Sequence, residues 1–178
     1  MLIREARVQR GYTLVEMLVV VTILGIAGAL LVPAFGQTDT LRLQGAVRTL
    51  VSDITVAQSD SIAFQRSIGI QFTSTSSESS YVVAMVNGNE LDVDLDRVSS
   101  ARIDGEKFGF AHFDGTNFGD SQLVFDELGS PIGLADGESA STQWIDIAGR
   151  RQTYRVTVEA YTGRCTVALT RDLDAPAG

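Results

Sequence analysis

Residues Leu14 to Val32 form an apolar run interrupted by one carboxylate, Glu16, close to its start. As a helix the run reaches roughly 28 Å, close to the thickness of a bilayer core, about 30 Å. A charge placed in hydrocarbon costs about 2.5–3.5 kcal/mol on insertion scales, so an acid at this position needs a reason. Arg4, Arg7 and Arg10 precede the run against one acid, Glu5, and the following stretch, Phe35 to Leu41, holds no Lys or Arg. Positive charge stays on the cytoplasmic side, which puts the leader inside and the rest of the chain across the membrane. Two plainer readings compete. In a simple signal-anchor, Glu16 is a tolerated polar residue near the interface. In a cleaved secretory signal, 14–32 is the apolar core, but it is long for that role and Val32-Pro33-Ala34-Phe35 makes a poor cleavage site. The only cysteine, Cys165, is too distant for a lipoprotein signal.

The stretch Arg10-Gly11-Tyr12-Thr13-Leu14-Val15-Glu16 resembles the processing motif of type IV pilins and of the pseudopilins of type II secretion. The resemblance implies cleavage between Gly11 and Tyr12 by a prepilin peptidase and N-methylation of Tyr12. Tyr12 stands where the family usually has Phe. It implies too that Glu16 pairs with the freed terminal amine of a neighbouring subunit and sets the stagger between subunits, and that Pro33 is the family's helix-kinking proline. A buried pair of this kind offsets its desolvation only in good geometry.

Net charge is −8. The leader holds three Arg and one Glu, so a chain cut after Gly11 stands at −10. Such an acidic chain is a poor general nucleic-acid binder, since that function needs basic surface. A single cysteine forms no internal disulfide, and Cys165 is expected as a small buried apolar residue.

After Pro33, the stretch Phe35 to Asp39 contains helix-weakening residues, expected to bend or melt the helix near Pro33 and Gly36. Leu43, Val47, Leu50, Val51, Ile54, Ala57 and Ile62 then recur near helical spacing, with charged residues between them. This predicts that one long helix continues to about Phe64 and lays its second half on a sheet. From Ser67 the period changes to that of strands. Strands are predicted at 67–72, 81–86, 91–96, 107–113, 122–125, 143–147, 153–160 and 164–170. A polar loop is expected at 73–80, a turn at Asn87-Gly88, a turn at Tyr161-Thr162-Gly163, and a frayed tail from Arg171.

Two further stretches resemble the group of minor pseudopilins that also includes some minor type IV pilins. One is Gln44 to Leu50 running through Ala57-Gln58-Ser59-Asp60-Ser61-Ile62. The other is Phe125-Asp126-Glu127-Leu128-Gly129-Ser130-Pro131. The expected fold is therefore α+β and pilin-like: a long N-terminal helix, transmembrane in its first half, packed on antiparallel β-sheet. The implied organisation is a leader at 1–11, a transmembrane and assembly helix at 12–33, an amphipathic continuation at 34–66, a periplasmic β-rich domain at 67–171 and a tail at 172–178.

Other motifs have plainer explanations. Asp92, Asp94 and Asp96 suggest a calcium loop, but no Gly follows and the pattern is that of a strand with one wet face. His112 has no nucleophile near it in sequence and is expected to be structural. Gly149-Arg150-Arg151 and Gly163-Arg164 resemble the arginines with which some DNA-uptake minor pilins grip DNA, although an arginine on a turn of an acidic domain is usually just solvated. No constellation for catalysis, cofactor or metal emerges. The leading expectation is a structural minor pseudopilin of a type II secretion-like machine, with other pilins or pseudopilins, a prepilin peptidase, an inner-membrane assembly platform and the membrane as partners. The alternatives are a minor type IV pilin for pilus initiation, adhesion or DNA uptake, and a membrane-anchored periplasmic binding domain that never polymerises.

Overall fold

The structure is a computed structural model that describes residues 12–75, 78–88, 90, 91, 93, 97–103, 105, 107–134 and 137–173, with the side chains of 30–37 left aside. The chain divides into two compact units between Gln37 and Thr38. One helix, α1 (Leu14–Phe64), contributes to both. Its start is set by Thr13, whose hydroxyl accepts the Glu16 N–H at 3.2 Å while the Thr13 carbonyl accepts that of Met17. The backbone stays helical through Pro33 and Gly36, so the expected local weakness does not melt it.

In the second unit α1 buries Leu43, Ala46, Val47, Leu50, Ile54, Ala57 and Ser61. These fall at three- and four-residue spacing on one face, as an amphipathic helix requires. Ile62, expected in this stripe, is 46% exposed and packs against the loop at Gly129 instead.

The stripe packs with two antiparallel sheets. The first contains β1 (Ile68–Ser74), β2 (Ser79–Asn87), β3 (Glu90–Leu91), β4 (Arg97–Arg102), β6 (Gln122–Phe125) and β7 (Pro131–Ile132). Its order runs β3-β2-β1-β6-β7, with β4 also on β2. Register puts Ile70 opposite Val83 and Leu123, and Ile68 opposite Phe125, all facing the core. On the other face Gly69 lies under Leu91, where an added Cβ would stand 2.7 Å from a Leu91 methyl. The second sheet runs β10 (Cys165–Asp172), β9 (Gln152–Val158), β8 (Gln143–Ala148), β5 (His112–Thr116). It turns Ile145, Ile147, Val156 and Val158 inward. The sheets are tied where Ser74 Oγ donates to the Phe113 carbonyl and Ser79 Oγ accepts the Phe113 N–H. Phe72 sits at this junction, its ring 5.1 Å from that of Phe118 and 5.5 Å, edge on, from that of Phe113.

Several strand expectations need correction. β1 and β2 extend further toward each other than the expected 73–80 loop allows, to Ser74 and from Ser79. Leu91 is in β3 but Val93 is in a turn, and Asp92, Asp94, Leu95 and Asp96 lie outside the described residues. Lys107 to Phe110 form turns rather than strand. Gly105 and Gly109 have φ of 84° and 67°, and the Gly109 N–H bonds the Gly105 carbonyl at 2.7 Å. These are backbone angles that glycine adopts freely and that close the chain on itself. The tail is ordered for longer than expected. β10 takes in Arg171 and Asp172, and the Leu173 N–H bonds the Arg151 carbonyl at 2.9 Å. β4 and β7 had no sequence signal: β4 is a polar, exposed edge and β7 spans two residues.

Candidate assembly site

Gly11 lies outside the described residues, while Tyr12 stands exposed just before the Thr13 cap. Glu16 occupies the third position of the helix, where its carboxylate is favoured by the partial positive charge of the helix N-terminus. Thr13 and Glu16 thus have the spacing of a capping box, with the Thr13 half formed. Glu16 makes no ion pair among the described residues. Around it Leu14, Val15, Met17, Leu18 and Val21 are all largely exposed, Leu14 to 82%. The Thr22 hydroxyl, the next polar group, donates to the Leu18 carbonyl at 2.7 Å and so satisfies itself within the helix. Among the described residues no helix is long and apolar enough to cross a membrane. The end of the Leu14–Val32 run and Pro33 lie among residues 30–37, whose side chains are outside the description.

The Phe-Asp-x-x-Gly-x-Pro stretch is a latch on α1. Asp126 Oδ1 accepts the N–H groups of Leu128 and Ser130 at 2.9 and 2.7 Å, and Gly129 takes φ of 80°. Gln58 Nε2 donates to the Gly129 carbonyl at 2.7 Å and the Thr162 carbonyl at 2.9 Å. Ser130 Oγ joins the same turn by donating to the Tyr161 carbonyl at 2.7 Å. The resemblance of residues 125–131 pointed to the loop, but nothing in the sequence singled out Gln58.

A second polar tie, also missed, joins the Tyr81 hydroxyl of β2 to Asp53 of α1. Burial, with the Asp53 hydrogen bond adding to it, holds the Tyr81 phenol well above its ordinary pKa. On the outer face of the second sheet Arg155 makes a two-point bond to Asp146 at 2.8 Å and lies 3.9 Å over the Trp144 ring. Hydrogen bonding to Asp146 raises the guanidinium pKa further.

The remaining candidates do not converge. Arg150 stacks 3.4 Å over the Phe110 ring, and Arg151 has a partner of its own. Both lie in the turn before β9 and Arg164 in the turn after it, so the arginines sit at opposite ends of one strand rather than in one basic patch. His112 opens β5, is exposed, and places Nδ1 3.1 Å from the Phe110 carbonyl. Cys165 is partly buried against the core, and burial pushes its thiol up to about 11. No His, Cys, Asp and Glu cluster able to hold a metal occurs among the described residues.

A long capped helix, whose Glu16 has no ion pair among the described residues, and a β-rich head make an α+β protein. Residues 6–32 match the model of the prokaryotic N-terminal methylation motif, a span that includes Gly11, Tyr12 and Glu16. The fold is similar to that of the type IV minor pilin FimU of Pseudomonas aeruginosa in two crystal forms. One likeness has a TM-score of 0.56 at 13% identity, covering 74% of this chain and 94% of that one. The other has a TM-score of 0.53 at 11% identity, covering 73% and 98%. No curated protein sequence matches the chain. The chain thus carries a match to the N-terminal methylation motif and has a pilin-like α+β fold.

Proposed function

We propose that this chain is a structural subunit of a pilin-class fibre and has no enzymatic role. A prepilin peptidase cuts between Gly11 and Tyr12 and methylates Tyr12. The apolar half of α1 then holds the subunit in the inner membrane, with its head in the periplasm, until an assembly platform draws it into the fibre. The observation that carries this reading is the position of Glu16. It is one turn from a capped helix start, in an exposed apolar helix, where a neighbour's freed amine would neutralise it.

The finer assignment is to a minor pseudopilin of a type II secretion-like machine, on the resemblance of residues 44–62 and 125–131. A minor type IV pilin is the second reading, favoured by the likeness in fold to FimU. Intact-mass analysis and N-terminal sequencing of membrane-extracted protein, with and without a prepilin peptidase, test the common part. A methylated Tyr12 start that depends on the peptidase is expected. Retention of residues 1–11 in its presence would make the protein a simple anchor.

A further inference from the structure

Strand β10 is the outermost strand of the second sheet, and from Thr166 to Arg171 every residue is exposed. Bonded only to β9, it turns the N–H and C=O groups of alternate residues to the open side. Natural edge strands are usually blunted by charge or proline inside the strand. Here the stretch Cys165 to Leu169 contains neither, and the charged pair Arg171 and Asp172, with a register shift after Leu169, is confined to one end of the strand. Register with β9 puts Val167 opposite the buried Val156 and Leu169 opposite Tyr154, so both belong to the face that looks toward α1. Each is still 46% exposed. The face they extend opens into a groove of about 540 Å³ lined by Gln44, Val47, Arg48 and Val51 of α1 together with Tyr154 and Val167.

The frame of this edge is cationic in an acidic chain. Arg48, Arg164 and Arg171 are exposed and form no ion pair among the described residues. Of the carboxylates adjacent in the strand pair, Glu159 faces the Arg164 end through a backbone bond, and Asp172 already has a partner. A second copy of β10 is a poor occupant. Antiparallel self-pairing about the middle of the strand sets Arg164 of one copy against Arg171 of the other, and like charges directly opposite are unfavourable.

We propose that β10 and its groove take an extended segment of another polypeptide, added as a fifth strand of the second sheet. The segment carries apolar side chains at alternate positions, which enter the groove, and a carboxylate at each end, which meets Arg164 and Arg171. Main-chain bonds supply the affinity, and the groove and the arginines supply the selectivity. The proposal rests on the head alone and stands whether or not the chain enters a fibre.

The test uses the full chain in detergent micelles and fluorescence anisotropy with three labelled peptides. These are Asp-Val-Thr-Val-Thr-Val-Asp, the same peptide with Lys at both ends, and the first peptide with alternate amides N-methylated. The acidic peptide is expected to bind about tenfold tighter than the lysine one, with the gap shrinking at high salt. N-methylation should abolish the binding. Arg164→Glu with Arg171→Glu should invert the order, and Leu169→Thr, on an exposed site, should weaken binding without moving the thermal melt. Equal binding of the methylated peptide, no inversion in the double variant, or no binding at all would each overturn the proposal. So would a concentration-dependent dimer lost on Leu169→Thr, since the edge would then belong to a second copy.

Discussion

The two stretches of α1 use the same residue types to opposite ends. Between Leu14 and Ala29, Leu, Val and Ile surround the helix and are exposed, Leu24 to 65%. Beyond Thr38 most of them collect on one face, where Leu50 and Ile54 are fully buried, while Leu41 and Val56 stay exposed. A stripe can be satisfied by the chain's own sheets. A helix apolar all round is satisfied only by lipid or by other helices. Stability therefore resides in the second stretch, and the part that needs other molecules resides in the first.

That division can be broken by exchanging lesions. Leu50→Ala removes a side chain buried where α1 meets the sheets and should cost about 2–5 kcal/mol. Urea unfolding of the purified protein should show the loss, while cleavage after Gly11 stays at its normal level. Glu16→Val is the converse. It should leave unfolding unchanged but lower incorporation into fibres by about tenfold or more, as expected for a charge-assisted bond of about 1.5–3 kcal/mol. Shearing or crosslinking of cells expressing both alleles measures it. Normal incorporation of Glu16→Val would remove the role assigned to the acid.

A smaller effect sharpens the account of the head. Gly163 has φ of 62°, and a Cβ there would clash with Gln58 Nε2 and lie 2.7 Å from the Gly129 carbonyl oxygen. Gly163→Ala should cost about 1–3 kcal/mol from strain and the broken latch. Adding Gln58→Ala relieves only the side-chain clash, because the backbone oxygen stays. A double-mutant cycle should give coupling of about 0.5 kcal/mol or more. Purely additive losses would mean that Gln58 does not hold the two loops together.

Most of this architecture was legible from the apolar run, the helical stripe and the alternating strands, because each reflects a period the backbone imposes. The Gly11 to Glu16 stretch was picked out differently, by its resemblance to a processing motif and by the cost of an acid at the head of an apolar run, and it lies within the residues that match the methylation motif. What escaped was set by contacts distant in sequence. Lys107 to Phe110 alternates like a strand but turns on two glycines with positive φ. Ile62 fits the stripe but meets the loop at Gly129, whose position depends on a chain segment far from it in sequence. β4 carries little alternation because only Ala101 of its residues packs against the core. Gln58 and Asp53 looked like ordinary polar positions on a helix, and their partners come from the turn after β9 and from β2.

The Asp53–Tyr81 tie provides the finest test of the comparison, because it joins the striped stretch of α1 to the first sheet without touching the apolar one. Tyr81→Phe keeps the buried ring and removes the hydroxyl, leaving the half-exposed Asp53 to water. The expected cost at pH 8 is about 1 kcal/mol. The phenol's pKa is raised in the folded state, so its contribution is complete below the unfolded value of 10.0 and is lost as pH rises beyond it toward the folded value. Wild-type stability should therefore fall from about pH 10 upward, and Tyr81→Phe should lack that part of the fall. Parallel curves for the two proteins between pH 8 and pH 11 would show that the hydroxyl is equally solvated folded and unfolded, and that apolar packing alone holds α1 to the first sheet.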